Sequence, residues 1–108
     1  MKRNVWVLVL VFSCLCMAAA VRPAAADDPP YACFYYSCGL NFCGFDSECS
    51  TDDGYITNYL WSWGDGTFTN GSNSAPSHTY AAHGNYTVVL TVTDNAGQKT
   101  STSLLVTF

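Results

Sequence analysis

From Tyr86 onward the chain alternates: Tyr86, Val88, Leu90 and Val92 occupy one phase, and Thr87, Thr91 and Thr93 the other. A repeat of two belongs to a strand, whose successive side chains point to opposite faces, so this stretch predicts a half-buried β-strand. Tyr55 to Trp63 behaves the same way, with Tyr59, Trp61 and Trp63 in one phase, and predicts a long aromatic strand. Upstream, Tyr31 to Cys38 puts Ala32, Phe34 and Tyr36 on one face and Tyr31, Cys33 and Tyr35 on the other. Gly39-Leu40-Asn41 can turn the chain so that Phe42 to Asp46 runs back alongside. His78 to Ala82 leads into the alternating strand, and Asn95-Ala96-Gly97 turns it into a last one, Thr100 to Phe108. The polar stretches between them predict loops. One is acidic, from Ser47 to Gly54; the other, from Thr67 to Pro76, is rich in Asn, Gly and Ser and leaves room for a short edge strand. Beyond the first 26 residues nothing keeps a 3.6-residue apolar period, so no helix is predicted there. About seven short strands separated by turn signals predict an all-β fold, a two-sheet β-sandwich.

The first residues follow another pattern. Lys2 and Arg3 precede an apolar run from Val5 to Phe12, Ser13 to Ala20 are its smaller continuation, and Ala24-Ala25-Ala26 offers a cleavage site. This is the layout of a secretory signal peptide, and the run is short of the ~20 residues that cross a bilayer. The expected organisation is therefore a signal peptide over 1–26, a polar lead-in over 27–30 and one sandwich domain over 31–108. The destination is the extracellular space or the periplasm. Val11-Phe12-Ser13-Cys14 is a poor lipidation signal, so cleavage after Ala26 is preferred to a lipidated Cys14. Lys2, Arg3 and Arg22 leave with the signal, and Lys99 becomes the only basic side chain against eight acids, a net charge of about −7. With almost no Lys or Arg to neutralise phosphates, nucleic acid and anionic membrane surfaces are poor partner candidates, and the expectation is no nucleic acid and no membrane span.

The turn chemistry sharpens the picture. Trp61-Ser62-Trp63-Gly64-Asp65-Gly66 is followed by His78-Thr79-Tyr80, and then by Gly84, Tyr86, Val88, Leu90, Val92, Asp94 and Gly97 at alternating spacing. This arrangement resembles the PKD domain (the polycystic kidney disease repeat), whose pattern runs W-x-F-G-D-G, H-x-Y and G-x-Y-x-V-x-L-x-V-x-D-x-x-G. Trp63 stands where that family usually has Phe. The resemblance covers roughly Tyr31 to Phe108. It implies an immunoglobulin-like sandwich with Trp61 in the core, His78 packed near it as a structural residue, and a module that usually accompanies proteases, chitinases or adhesins as spacer, adhesion unit or aid to polymer binding.

Four cysteines remain after the signal, Cys33, Cys38, Cys43 and Cys49, and they allow three pairings. Cys33 with Cys38 would have to meet across ~16 Å of extended strand. The Gly39-Leu40-Asn41 turn sets Cys38 opposite Cys43 and leaves Cys33 for Cys49. Strict register then places Cys33 opposite Glu48, one residue short, so a bulge or the start of the loop must shift it. Four thiolates could instead hold zinc, but the C-x-x-C spacing is missing and export favours disulfides. The fold expected is thus a disulfide-stapled sandwich.

Candidate chemistry is sparse. Asp46, Asp52 and Asp53, with Glu48 nearby, offer hard oxygen ligands of the kind Ca²⁺ takes. The resemblance extends to collagenase PKD domains that bind calcium partly through an Asp for which this chain has Ser62. A solvated acidic turn is the preferred reading, with no cofactor and little effect of calcium. His83 sits in a turn and is expected to be exposed. No G-x-S-x-G or H-E-x-x-H motif occurs, nothing follows the last strand that could be a catalytic domain, and an enzyme is not expected. The aromatics are too many for so small a core. Tyr31 and Tyr35 are out of phase with Phe34 and Tyr36, and Phe68 lies in a polar loop, so these three are the candidate binding residues. The expected role is a non-catalytic interaction module for an extracellular protein or cell surface. The alternative is a polysaccharide- or fibrous-protein-binding module (chitin, cellulose, collagen) assisting a separate hydrolase.

Overall fold

The computed structural model describes residues 28–108, so the predicted signal segment and Cys14 lie outside the described residues. Seven strands follow one another: β1 (Tyr35–Cys38), β2 (Cys43–Asp46), β3 (Ile56–Ser62), β4 (Phe68–Gly71), β5 (Ser77–His78), β6 (Asn85–Asp94) and β7 (Lys99–Thr107). They form two sheets, β1-β2-β5 and β4-β3-β6-β7, in which every pairing is antiparallel. No helix occurs among the described residues. This is the two-sheet sandwich that the alternation predicts, of the immunoglobulin-like kind that the resemblance implies.

The two long strands carry the inner face. Val88, Leu90 and Val92 are fully buried in the phase read from the sequence, and Asp94 continues it. β6 pairs on one side with β7, from Asn85 opposite Thr107 to Thr93 opposite Lys99, and on the other with β3. Between Ile56 and Asn58 the β3–β6 register shifts, and the extra residue, Thr57, turns its hydroxyl to the carbonyls of Thr93 and Asp94. Across the core lie Phe34 and Phe45, in contact with Trp61, whose indole is edge-on to Phe34 at 5.2 Å. Offset and edge-on arrangements of this kind suit the quadrupoles of the rings.

The first predicted strand is shorter than its alternation suggested. Tyr31 makes an isolated bridge to Thr51, and regular pairing begins only at Tyr35. Extending the β1–β2 register would set Tyr31 opposite Ser50, so the returning segment carries one extra residue. A turn in which Ser50 N donates to Ser47 O takes it up. That same residue resolves the parity of the cysteines, because it brings Cys49 rather than Glu48 to Cys33. The disulfides are Cys33–Cys49 and Cys38–Cys43. Tyr36, placed by phase with Ala32 and Phe34, is 36% exposed, whereas those two are buried. β1 is an edge strand of its sheet, so the Tyr36 ring is only partly covered, with its hydroxyl near Thr107 N of β7.

Candidate functional site

The motif residues form an interlocked cluster at one end of the sandwich. Gly64 and Gly66 have φ of 86° and 92°, the left-handed region that glycine enters without steric cost, and they turn the chain after β3. Asp65 lies between them. Its Oδ1 accepts from Thr67 N and Thr67 Oγ1, and its Oδ2 lies 2.8 Å from His78 Nε2. Partial burial pushes the Asp65 carboxyl up, but the hydrogen bonds from Thr67 and His78 outweigh it and bring the group down to about 2. His78 stacks on Trp63 at 4.7 Å and meets Tyr80 edge-on. Tyr80 donates to the Trp63 carbonyl at 2.7 Å, and burial, with Asp65 nearby, pushes its hydroxyl up to about 12. Tyr80 stacks in turn on Tyr86, which donates to Ala82 O, and Gly84 exchanges two backbone hydrogen bonds with Phe108. Asp65, His78, Tyr80 and Tyr86 thus spend their polar groups on holding the end of the sandwich closed, while the buried Trp63 Nε1 has no partner. The Asp65–His78 pair is thereby tied into the aromatic cluster, through Thr67 on the carboxylate side and Trp63 and Tyr80 on the imidazole side.

The opposite end is acidic. Asp46, Asp52 and Asp53 do not converge: Asp46 accepts from Glu48 N, Asp53 from Asp28 N and Asp52 from Gly54 N. Asp52 instead approaches Asp94. Desolvation, with the neighbouring Asp94 and Asp53 charges adding to it, holds the Asp52 carboxyl above its ordinary value. Asp52 Oδ1 is buried without a hydrogen-bond partner. Two carboxylates, one of them with an orphaned oxygen, are groups of the kind a hard cation takes, and Asp52 and Asp94 are the residues that would hold one. Among the described residues, however, no group of three or more His, Cys, Asp or Glu side chains could hold a metal ion. Asp94 was not among the acids weighed from the sequence, although its phase with Val88, Leu90 and Val92 carried the signal.

The remaining candidates are the surface aromatics. Tyr31, Tyr35 and Phe68 are 64%, 66% and 68% exposed. They do not share a platform: Tyr31 and Tyr35 flank the β1 side of one sheet, and Phe68 opens β4 at the edge of the other. Tyr35 lines a shallow depression of about 320 Å³ together with Ser37, Gly44, Pro76 and Ser77. Sequence reasoning passed over Leu40, at 88% the most exposed large apolar side chain here, and Phe42, both on the turn closed by Cys38–Cys43. Their place in a turn between two strand-phase segments hid them.

The model of the PKD domain matches residues 38–107. The chain belongs to the PKD domain family. As a PKD domain it is similar to the PKD1 domain of the Vibrio cholerae metalloprotease PrtV, with 31% identity and a TM-score of 0.68 over 74% of this chain and 96% of that one. It is also similar to a structure described as a basis for the promiscuous specificity of carbohydrate-binding modules from the β-sandwich superfamily, at 29% identity and a TM-score of 0.69, covering 34% of that chain. Among curated proteins it is 40% identical to collagenase ColA of Bacillus cereus over 57 residues, 53% of this chain but 6% of the collagenase. A microbial collagenase of Vibrio alginolyticus is 44% identical over 54 residues, again 6% of its length. The chain thus spans a small fraction of the curated relatives it matches.

Proposed function

We propose that this PKD domain is a secreted, non-catalytic interaction module that engages an extracellular protein or cell surface. The observation that carries this is the division of labour among its residues. The motif residues Asp65, His78 and Tyr80 are engaged internally, while Tyr31, Tyr35 and Phe68 are exposed and are not part of the core cluster. Matching stretches in collagenases and in PrtV are short segments of much longer proteins, which supports an accessory role. Two disulfides suit an oxidising compartment, and no helix among the described residues is long and apolar enough to cross a membrane.

A second reading, polysaccharide or fibrous-protein binding beside a separate hydrolase, is favoured by the likeness to carbohydrate-binding modules and to collagenases. A pull-down on chitin, cellulose and collagen, with wild type and the Tyr31→Ala/Tyr35→Ala/Phe68→Ala triple variant, separates the two. The polymer reading expects retention on at least one of them, weakened in the triple variant at nearly unchanged Tm, since isolated surface changes stay within ~0.5 kcal/mol. No retention of wild type removes the polymer reading and leaves the protein-partner role. Retention that survives the triple change keeps the polymer but discards these residues.

A further inference from the structure

We propose that the cleft between β4 and the segment leading into β5 binds a neutral sugar unit of a polysaccharide; this rests on the polymer-binding reading above. The cleft measures about 420 Å³, within the ~300–1,000 Å³ of small-ligand sites. Its origin is the register of the edge strand. Gly71 faces Tyr59 and Thr69 faces Trp61, so two aromatic residues on the inner face of β3 are opposed by no side chain and by a short one. Trp61 closes the bottom, its Nε1 donating to Asn73 O at 3.3 Å, and the half-buried Tyr59 forms the open wall. Burial, reinforced by Glu48, pushes the Tyr59 hydroxyl up, so it stays protonated across the neutral range.

The rim is polar but uncharged. Asn58 Nδ2 donates to Asn70 Oδ1, and Ala75 N donates to Asn73 Oδ1 at 3.0 Å. With their oxygens engaged in this way, Asn70 and Asn73 retain Nδ2 as donor capacity in the lining. The rest of the lining is Ser, Thr and Pro, and none of it is ionisable. An aromatic surface ringed by neutral donors and acceptors matches a pyranose, which has an apolar C–H face and a girdle of hydroxyls. Charged ligands are disfavoured: the cleft holds no cation for an anion, and the described chain has one lysine against seven acids, Asp28, Asp46, Glu48, Asp52, Asp53, Asp65 and Asp94. None of Tyr31, Tyr35 and Phe68 lines the cleft, although it shares Pro76 and Ser77 with the depression beside Tyr35.

Gly71→Leu tests it. A Cβ at position 71 meets no atom within 4 Å, and the backbone there needs no positive φ, so the added side chain enters open space. The exported protein, labelled with ¹⁵N, is titrated with cellohexaose, chitohexaose and an anionic galacturonate hexamer. A neutral hexamer is expected to shift the amides of Asn70, Gly71 and Asn73 and the Trp61 indole N–H, and the anionic hexamer is not. Gly71→Leu is expected to weaken the neutral ligand at least tenfold at unchanged Tm. Retention on a polymer with shifts confined to Tyr35 or Phe68, or equal affinity in Gly71→Leu, overturns the cleft and leaves polymer binding intact. Wild type that neither shifts nor is retained on any polymer removes both. Should Gly71→Leu fold poorly, the wild-type shift map decides alone.

Discussion

Gly64 and Gly66 flank the same aspartate and have nearly the same φ, yet their replacement by Ala should have unequal consequences. A left-handed backbone costs an L-residue about 1–2 kcal/mol, and both variants incur that. At Gly66 nothing more is added, because a Cβ there meets no atom within 4 Å. At Gly64 the same Cβ would lie 2.6 Å from Thr87 O and 2.9 Å from Thr87 N. Those atoms cannot retreat cheaply, since Thr87 is paired with Leu105 in the long β6–β7 ladder. Forced overlap in a packed region costs typically about 1–3 kcal/mol, so Gly64→Ala should lose roughly 2–5 kcal/mol in all. A domain of this size holds roughly 4–12 kcal/mol. Gly66→Ala should therefore stay folded and lose about 1–2 kcal/mol, and Gly64→Ala should lie near the edge of folding. Urea unfolding followed by tryptophan fluorescence, with disulfides intact, measures both. Losses equal to within about 0.5 kcal/mol would refute the contact between the Gly64 turn and the Thr87 backbone.

The two stacked tryptophans should respond differently, because Trp61 has a hydrogen-bond partner and the buried Trp63 Nε1 has none. Trp61→Ala should cost about 3–5 kcal/mol, whereas Trp63→Phe, which trades packing for removal of an orphaned donor, should stay within about 1 kcal/mol; thermal melts of both decide it. Peptide mapping without reductant should recover Cys33–Cys49 and Cys38–Cys43. Removing the outer bridge, which spans 16 residues, should cost about 3 kcal/mol, and a Cys33–Cys43 peptide would contradict the bulged register. Asp65 should contribute to acid stability with a defined sign. Its carboxyl is depressed from 3.8 to about 2, so the stabilisation is present above pH 4 and is lost as pH falls toward 2. Screening at this partly exposed site limits it to about 1 kcal/mol, and Asp65→Asn should flatten the stability profile between pH 4 and 2.

The strands were legible because one face of each must be buried, and burial at period two writes itself into the order of residues. Val88, Leu90 and Val92 announce β6 without reference to any other segment, and Trp61 and Trp63 do the same for β3. The cysteine pairing was half legible: the Gly39-Leu40-Asn41 turn sets the inner pair, and the outer pair waited on one extra residue. Where that residue sits is decided by the Ser47–Ser50 turn, which no local pattern specifies. The candidate site was less legible still. Exposure of Tyr31 and Tyr35 follows from phase; Phe68, expected in a loop, is exposed at the start of the edge strand β4, and the separation of the three follows from which sheet each strand joins. The cleft over Tyr59 comes from Gly71 lying opposite it, a matter of register between strands that local periodicity leaves open. Asp52 meeting Asp94 is likewise a contact across 42 positions, made only when β3 and β6 pair. Sequence by itself determined the long strands, their inward faces and the class of fold, because these depend on each segment's own contrast between apolar and polar residues. Tertiary structure alone decided which side chains share a surface, because that depends on register, which is a property of pairs of strands and not of either one.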